Sequence, residues 1–164
     1  MRNILLCIIL IVVGCTPPAA YTAFMPVSIE NWTETAHFQV NTPTSSLPHT
    51  LYICVRTTDA NRYDTCTLPL EITQKWEHTN LAQTDTLMVT IVDSIGNWKG
   101  KGIYHRDIIT PHSPIQTTDT LRGSITIRPL TKNAVHGVSH IGIEIRKEER
   151  GKRKEERGKE RGEG

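Results

Sequence analysis

Six short segments of this chain alternate apolar and polar residues with a period of two, and no other feature limits its fold as much. Ala36, Phe38 and Val40 alternate, as do Leu51, Ile53 and Val55; Leu68, Leu70 and Ile72; Leu87, Val89 and Ile91; Ile125 and Ile127; and Ile141, Ile143 and Ile145. Successive side chains of a strand project to opposite faces, so each segment buries one face and wets the other. The separators 41–48, 57–63, 94–102 and 110–120, the last with Pro111 and Pro114, are rich in turn formers. Threonine is abundant throughout, which suits strands better than helices. The spacing predicts an all-β fold, an antiparallel β-sandwich of jelly-roll-like type.

The first fifteen residues belong to a different kind of segment. Arg2 precedes ten apolar residues, 4–13, and then Gly14 and Cys15. The run is about half of the ~20 residues a membrane-spanning helix needs and has the length of an export-signal core. Val12-Val13-Gly14-Cys15 resembles a bacterial lipobox, in which the cysteine is lipidated and becomes the first residue of the mature chain. A cysteine carrying several acyl chains is a stable anchor where a single chain is marginal. Thr16 follows, with no acidic retention residue beside it, which by analogy with lipoprotein sorting points to the outer membrane and its periplasmic face. Pro17-Pro18-Ala19-Ala20 reads as an extended spacer. The expected organisation is a signal over 1–14, a lipidated linker over 15–24 that begins to look folded near Tyr21, a sandwich over 25–147 and a charged tail over 148–164.

Charge needs that division to be interpretable. Residues 147–164 contain only Lys, Arg, Glu and Gly, with 8 basic and 6 acidic side chains; outside them and Arg2 the chain carries 10 basic and 11 acidic residues. The domain is near neutral, so the sequence pI of about 8.4 reports the tail and the signal. No nucleic-acid groove is implied. The tail repeats every seven residues, yet no position of the repeat is apolar and each repeat holds a glycine, so neither a coiled coil nor a stable helix follows. It reads as a disordered, solvated extension.

The search for chemistry returns no catalytic pattern: no G-x-S-x-G elbow, no H-E-x-x-H and no paired Cys-x-x-Cys clusters. Gly96-Asn97-Trp98-Lys99-Gly100-Lys101-Gly102 fails the phosphate-loop pattern, with three residues between its first two glycines and Gly102 where a Ser or Thr is needed. His136 and His140 would sit ~13 Å apart on a strand, too far to share a metal. His105 and His112 need the intervening loop to fold back; His37, His49 and His78 have no partner at ligand spacing. Candidate pairs for acid–base work, such as Asp107 with His105 or Asp59 with Asp64, match no motif. Cys54 has the opposite parity to Ile53 and Val55, whereas Cys66 shares the parity of Leu68, so a disulfide between them needs a bulge or a fully buried strand. The alternative is two small buried thiols. No cofactor, metal, small-molecule substrate or enzymatic activity is expected.

The 96–102 glycine loop is the candidate partner-docking element. Asp93 and Gly96 suit a tight turn, and the remaining glycines permit positive φ. Trp98 either folds back to cap one end of the sandwich, the favoured reading, or joins Lys99 and Lys101 in a protein-docking or glycan-stacking patch.

Residues 85–103, from Asp85-Thr86-Leu87 through Val92-Asp93-Ser94-Ile95 to Gly96-Asn97-Trp98-Lys99-Gly100-Lys101-Gly102-Ile103, resemble the central signature of the gliding motility lipoprotein family GldH. Tyr52-Ile53-Cys54-Val55-Arg56 with Tyr63, Trp32 with Phe38, and His136-Gly137-Val138-Ser139-His140-Ile141-Gly142-Ile143 are similar to its other segments. The 65–70 stretch, with Cys66 and Pro69, departs from that pattern, as do Ser139-His140 and the charged tail. The resemblance implies an outer-membrane lipoprotein of the gliding apparatus, working beside type IX secretion with other machinery proteins and without enzymatic activity. The alternative is a lipid-anchored carbohydrate- or protein-binding module of the cell envelope.

Overall fold

In a computed structural model of the chain, the described residues are 19–43, 48–58, 67–77, 82–115, 120–132 and 134–147. They form eight strands: β1 (Tyr21–Pro26), β2 (Ala36–Pro43), β3 (His49–Thr57), β4 (Thr67–Trp76), β5 (Ala82–Thr90), β6 (Arg106–Ile115), β7 (Thr120–Pro129) and β8 (Val138–Lys147). All pairings are antiparallel, in two four-stranded sheets of order β1-β8-β3-β6 and β2-β7-β4-β5. First pairs with last, second with seventh, third with sixth and fourth with fifth, which is one long hairpin ribbon rolled over itself. That connectivity is the jelly roll.

The expected alternation supplies the core. Phe38, Val40, Leu51, Ile53, Val55, Leu68, Leu70, Ile72, Val89, Ile91, Ile125, Ile127, Ile141, Ile143 and Ile145 are all buried, and Trp32 and Trp76 close the cluster. Fully burying an aliphatic side chain contributes ~1.5–3 kcal/mol, so these inward rows are the main source of stability. On the β5/β6 side a polar clasp joins the sheets: Gln74 of β4 donates from Nε2 to Ser113 of β6 at 2.9 Å and accepts from the Trp76 indole at 3.2 Å.

Two strands were not expected. β1 takes in Tyr21–Phe24, the far end of the stretch read as linker. β6 runs through Pro111 and Pro114, so residues 110–115 are strand and not the loop that their prolines suggested. The reason is position: β6 is the outer strand of its sheet, where a residue facing outward has no ladder bond to lose. Asp107 turns its N–H and C=O outward, toward Lys101; two residues at a time, that parity turns Ile109 and then Pro111 outward as well. Past Pro111 the register shifts by one, leaving an unmatched residue at His112. Pro69 in the interior strand β4 survives on similar grounds. Its carbonyl accepts from Leu130 beyond the last β4–β7 pair, so its missing N–H forfeits only a terminal rung.

The antiparallel order fixes what lies at each end. Tyr21 pairs with Ile145, so Ala20 and Lys147 leave the sandwich side by side. Thr57 pairs with Arg106 at the opposite end, where β6 begins. The 91–105 connection is therefore held a full strand length, roughly 30 Å, from the chain ends.

Candidate functional site

The 91–105 connection is built from short-range polar contacts. Asp93 Oδ1 accepts from the backbone N–H groups of Ile95 (3.1 Å) and Asn97 (2.8 Å), and Asp93 C=O accepts from Gly96 N–H at 3.0 Å. These donors, Asn97 foremost, hold the Asp93 carboxyl below its ordinary range. Gly96, Gly100 and Gly102 have φ of 86°, 93° and 129°, as the glycine-rich spacing implied. Only glycine fits at Gly102, where a Cβ would stand 1.9 Å from the His105 carbonyl oxygen.

Beyond the turn the chain returns as a strap. Lys99 N–H donates to Ile91 C=O at 2.8 Å, Trp98 bridges to Val92, and Lys101 and Asp107 exchange both backbone hydrogen bonds at 3.1 and 3.0 Å. Trp98 is half-buried and packs against the core, which is the capping position. Lys99 and Lys101 are exposed. The Lys99 ammonium lies 3.1 Å from Asp93 Oδ2; among the described residues Lys101 has no carboxylate partner. Cys15 and Cys66 lie outside the described residues.

The strap lies beside the outer face of the β1-β8-β3-β6 sheet, and here the structure assembles residues that sequence reasoning did not connect. Arg56 of β3 makes a bidentate pair with Asp107 of β6, Nε to Oδ1 at 2.6 Å and Nη2 to Oδ2 at 2.8 Å. That guanidinium is the main influence holding the Asp107 carboxyl below its ordinary range, with a smaller contribution from His105. Arg56 also lies over Phe24, 5.1 Å from the ring centroid, and Arg146 over Tyr52 at 4.6 Å while binding Glu144 at 2.7 Å. Cys54 stands between these stacks, 1% exposed. Burial first, then Glu144, pushes its thiol up to about 12, so it is unreactive at neutral pH. Arg56 and Asp107 face each other across a strand pair, which no local pattern signals because β6 lacks the apolar alternation of the other strands.

A groove of about 600 Å³ opens between β5 and β6 beside the strap, within the range of small-ligand and peptide sites. Tyr52, Met88, Ile108 and Ile109 supply its apolar surface, and Lys99, Lys101, Arg146 and Asp107 its charges. Its other end, toward the chain termini, is closed by the Gln74–Ser113 clasp and by His112, whose Nε2 is 3.9 Å from Asp85. Among the described residues no three His, Cys, Asp or Glu side chains gather as a metal site. Of the three tryptophans available to a sugar-stacking surface, Trp32 and Trp76 are buried.

A family model described as GldH lipoprotein matches residues 19–145, the whole sandwich. No curated protein and no solved structure matches the chain.

Proposed function

The chain belongs to the GldH lipoprotein family of membrane-anchored, gliding-motility-associated lipoproteins, and from that premise we propose that it is an outer-membrane component acting beside type IX secretion through protein contacts rather than catalysis. Cys15 is its lipidation site, and the anchor faces the periplasm. Membership over the entire sandwich is the observation that carries this reading. The topology supports it: Cys15 precedes the start of β1 at Tyr21 by six residues in the sequence, so the anchored end is the end where Ala20 and Lys147 emerge, and the strap is presented at the far end. Lys99 and Lys101 thereby face machinery away from the bilayer, on a strap that Trp98 seats against the core.

The test is processing and partnership in the native cell. Globomycin-sensitive maturation, outer-membrane fractionation and co-purified motility or secretion components, all lost in Cys15→Ala, are the expected result. A soluble protein carrying glycan or unrelated partners would overturn it. Trp98→Ala separates the two uses of the strap: lost partner capture at an unchanged melting temperature supports docking, and a large loss of stability assigns the ring to capping.

A further inference from the structure

The four outer strands of the two sheets are not equally protected, and the difference locates a binding edge. An unpaired outer strand is a template for another chain, and proteins usually blunt it with proline, bulges, lysine or a covering segment. β1 is only six residues long and ends in Pro26. β2 is covered, since Tyr21 Oη donates to the outward carbonyl of Gln39 at 2.9 Å. β6 carries the strap at Asp107, Pro111 facing outward and the register shift at His112. Among the described residues β5 is the least protected: its nine residues contain no proline or lysine, its register with β4 is unbroken, and its single charged residue, Asp85, turns inward toward His112 at the closed end of the groove.

The direction of its free backbone groups follows from Pro69. That residue faces β7, so its register partner Met88 faces away from β4, and Thr86 and Thr90 share its parity. Among the described residues, the N–H and C=O groups of Thr86, Met88 and Thr90 have no hydrogen-bond partner. Met88 and Thr90 line the groove, opposite Ile108, Ile109 and Thr110 of β6. The charges there are three cations against one carboxylate; Arg146, Lys99 and Asp107 are held by Glu144, Asp93 and Arg56, which leaves the Lys101 ammonium in excess.

We propose that β5 accepts an extended peptide segment of a partner protein as an added strand, the segment placing an acidic side chain against Lys101. Backbone pairing to Thr86, Met88 and Thr90 supplies the affinity, Met88, Tyr52 and Ile109 take an apolar side chain, and Lys101 selects the charge. This deepens the docking reading of the strap and rests on it for the acidic preference.

The experiment uses the full chain in detergent and two synthetic nine-residue peptides of alternating Val and Thr, one with a central Asp and one with a central Lys. Amide hydrogen exchange and fluorescence anisotropy are read together. The expected result is slowed exchange at Thr86, Met88 and Thr90 with the Asp peptide, and weaker binding of the Lys peptide. Thr86→Pro removes an outward N–H without touching the β4 ladder and weakens binding about tenfold at unchanged melting temperature. Lys101→Glu reverses the peptide preference. If Thr86→Pro fails to fold, Met88→Glu, which sets a carboxylate against the Asp peptide at the same edge, serves as the second block. No slowed exchange at millimolar peptide, protection on another strand, or equal binding of both peptides overturns the proposal. Concentration-dependent protection of β5 without peptide also overturns it, assigning the edge to a second copy. Loss of partner capture in Trp98→Ala with β5 binding intact bears on the strap alone, so the two failures are distinguishable.

Discussion

Each lateral side of the sandwich is made of one outer strand from each sheet, and the two sides behave as opposites. On the β1/β2 side the sheets are stitched together: Tyr21 reaches Gln39, and Thr42 Oγ1 donates to the Ala20 carbonyl at 3.4 Å. On the β5/β6 side only the half nearer the chain ends is closed, by Gln74–Ser113, and the half beneath the strap is a groove. The difference teaches that a jelly roll seals or opens an edge by a few side chains, since the hydrophobic core behind both edges is continuous.

The largest expected effect comes from breaking the strap. Gly102→Val combines positive φ with a Cβ driven into the His105 carbonyl, and costs about 3 kcal/mol, read as lost exchange protection at Lys101 and Asp107 with β1 and β8 unaffected. On the stitched side, Gly142→Val is the counterpart. A Cβ there meets the Phe24 ring at 2.5 Å and Ala23 O at 2.9 Å, so β1 is pushed off for about 2 kcal/mol, measured by chemical denaturation. If both variants loosen both sides equally, the sides are not independent and the comparison fails.

A pH series sharpens it further, because the closed end buries a titratable group. His49 is fully buried with neither ring nitrogen partnered among the described residues, and burial, then Lys147, lowers its pKa. The folded state therefore binds fewer protons than the unfolded one. Stability is full above the unfolded value near 6.5 and declines as pH falls below it, by at most about 1.4 kcal/mol per pH unit. His49→Leu flattens that slope in thermal melts taken from pH 7 to pH 5, about the range over which the unfolded His titrates. An unchanged slope would assign the effect to His112, which is buried on the groove side and also shifted downward by burial. The smallest effect is Tyr21→Phe, which removes one stitch and costs about 1 kcal/mol or less in melting experiments.

Much of this arrangement was legible before any coordinates. The six alternating segments marked six strands and nearly all of their buried residues, because inward parity is a local property of a strand. The turn at Asp93–Gly96 and the positive φ of Gly96, Gly100 and Gly102 were also local, and so readable. β6 was not, since Pro111 and Pro114 are tolerated only because that strand lies at a sheet edge. With β6 unread, the Arg56–Asp107 pair and the groove beside it had no signal. The outward parity of Cys54 was visible, while its burial between the Arg56–Phe24 and Arg146–Tyr52 stacks was not.

The sequence by itself determined the fold class, the inward-facing rows, the glycine loop and the family, all of which depend on residue type and short spacing. Tertiary structure alone decided which strands became edges, which edges were covered and which residues from distant segments share the outer face. Those outcomes depend on rolling the ribbon so that β1 meets β8 and β3 meets β6, and no local pattern encodes which backbone groups remain unpaired once the roll is closed.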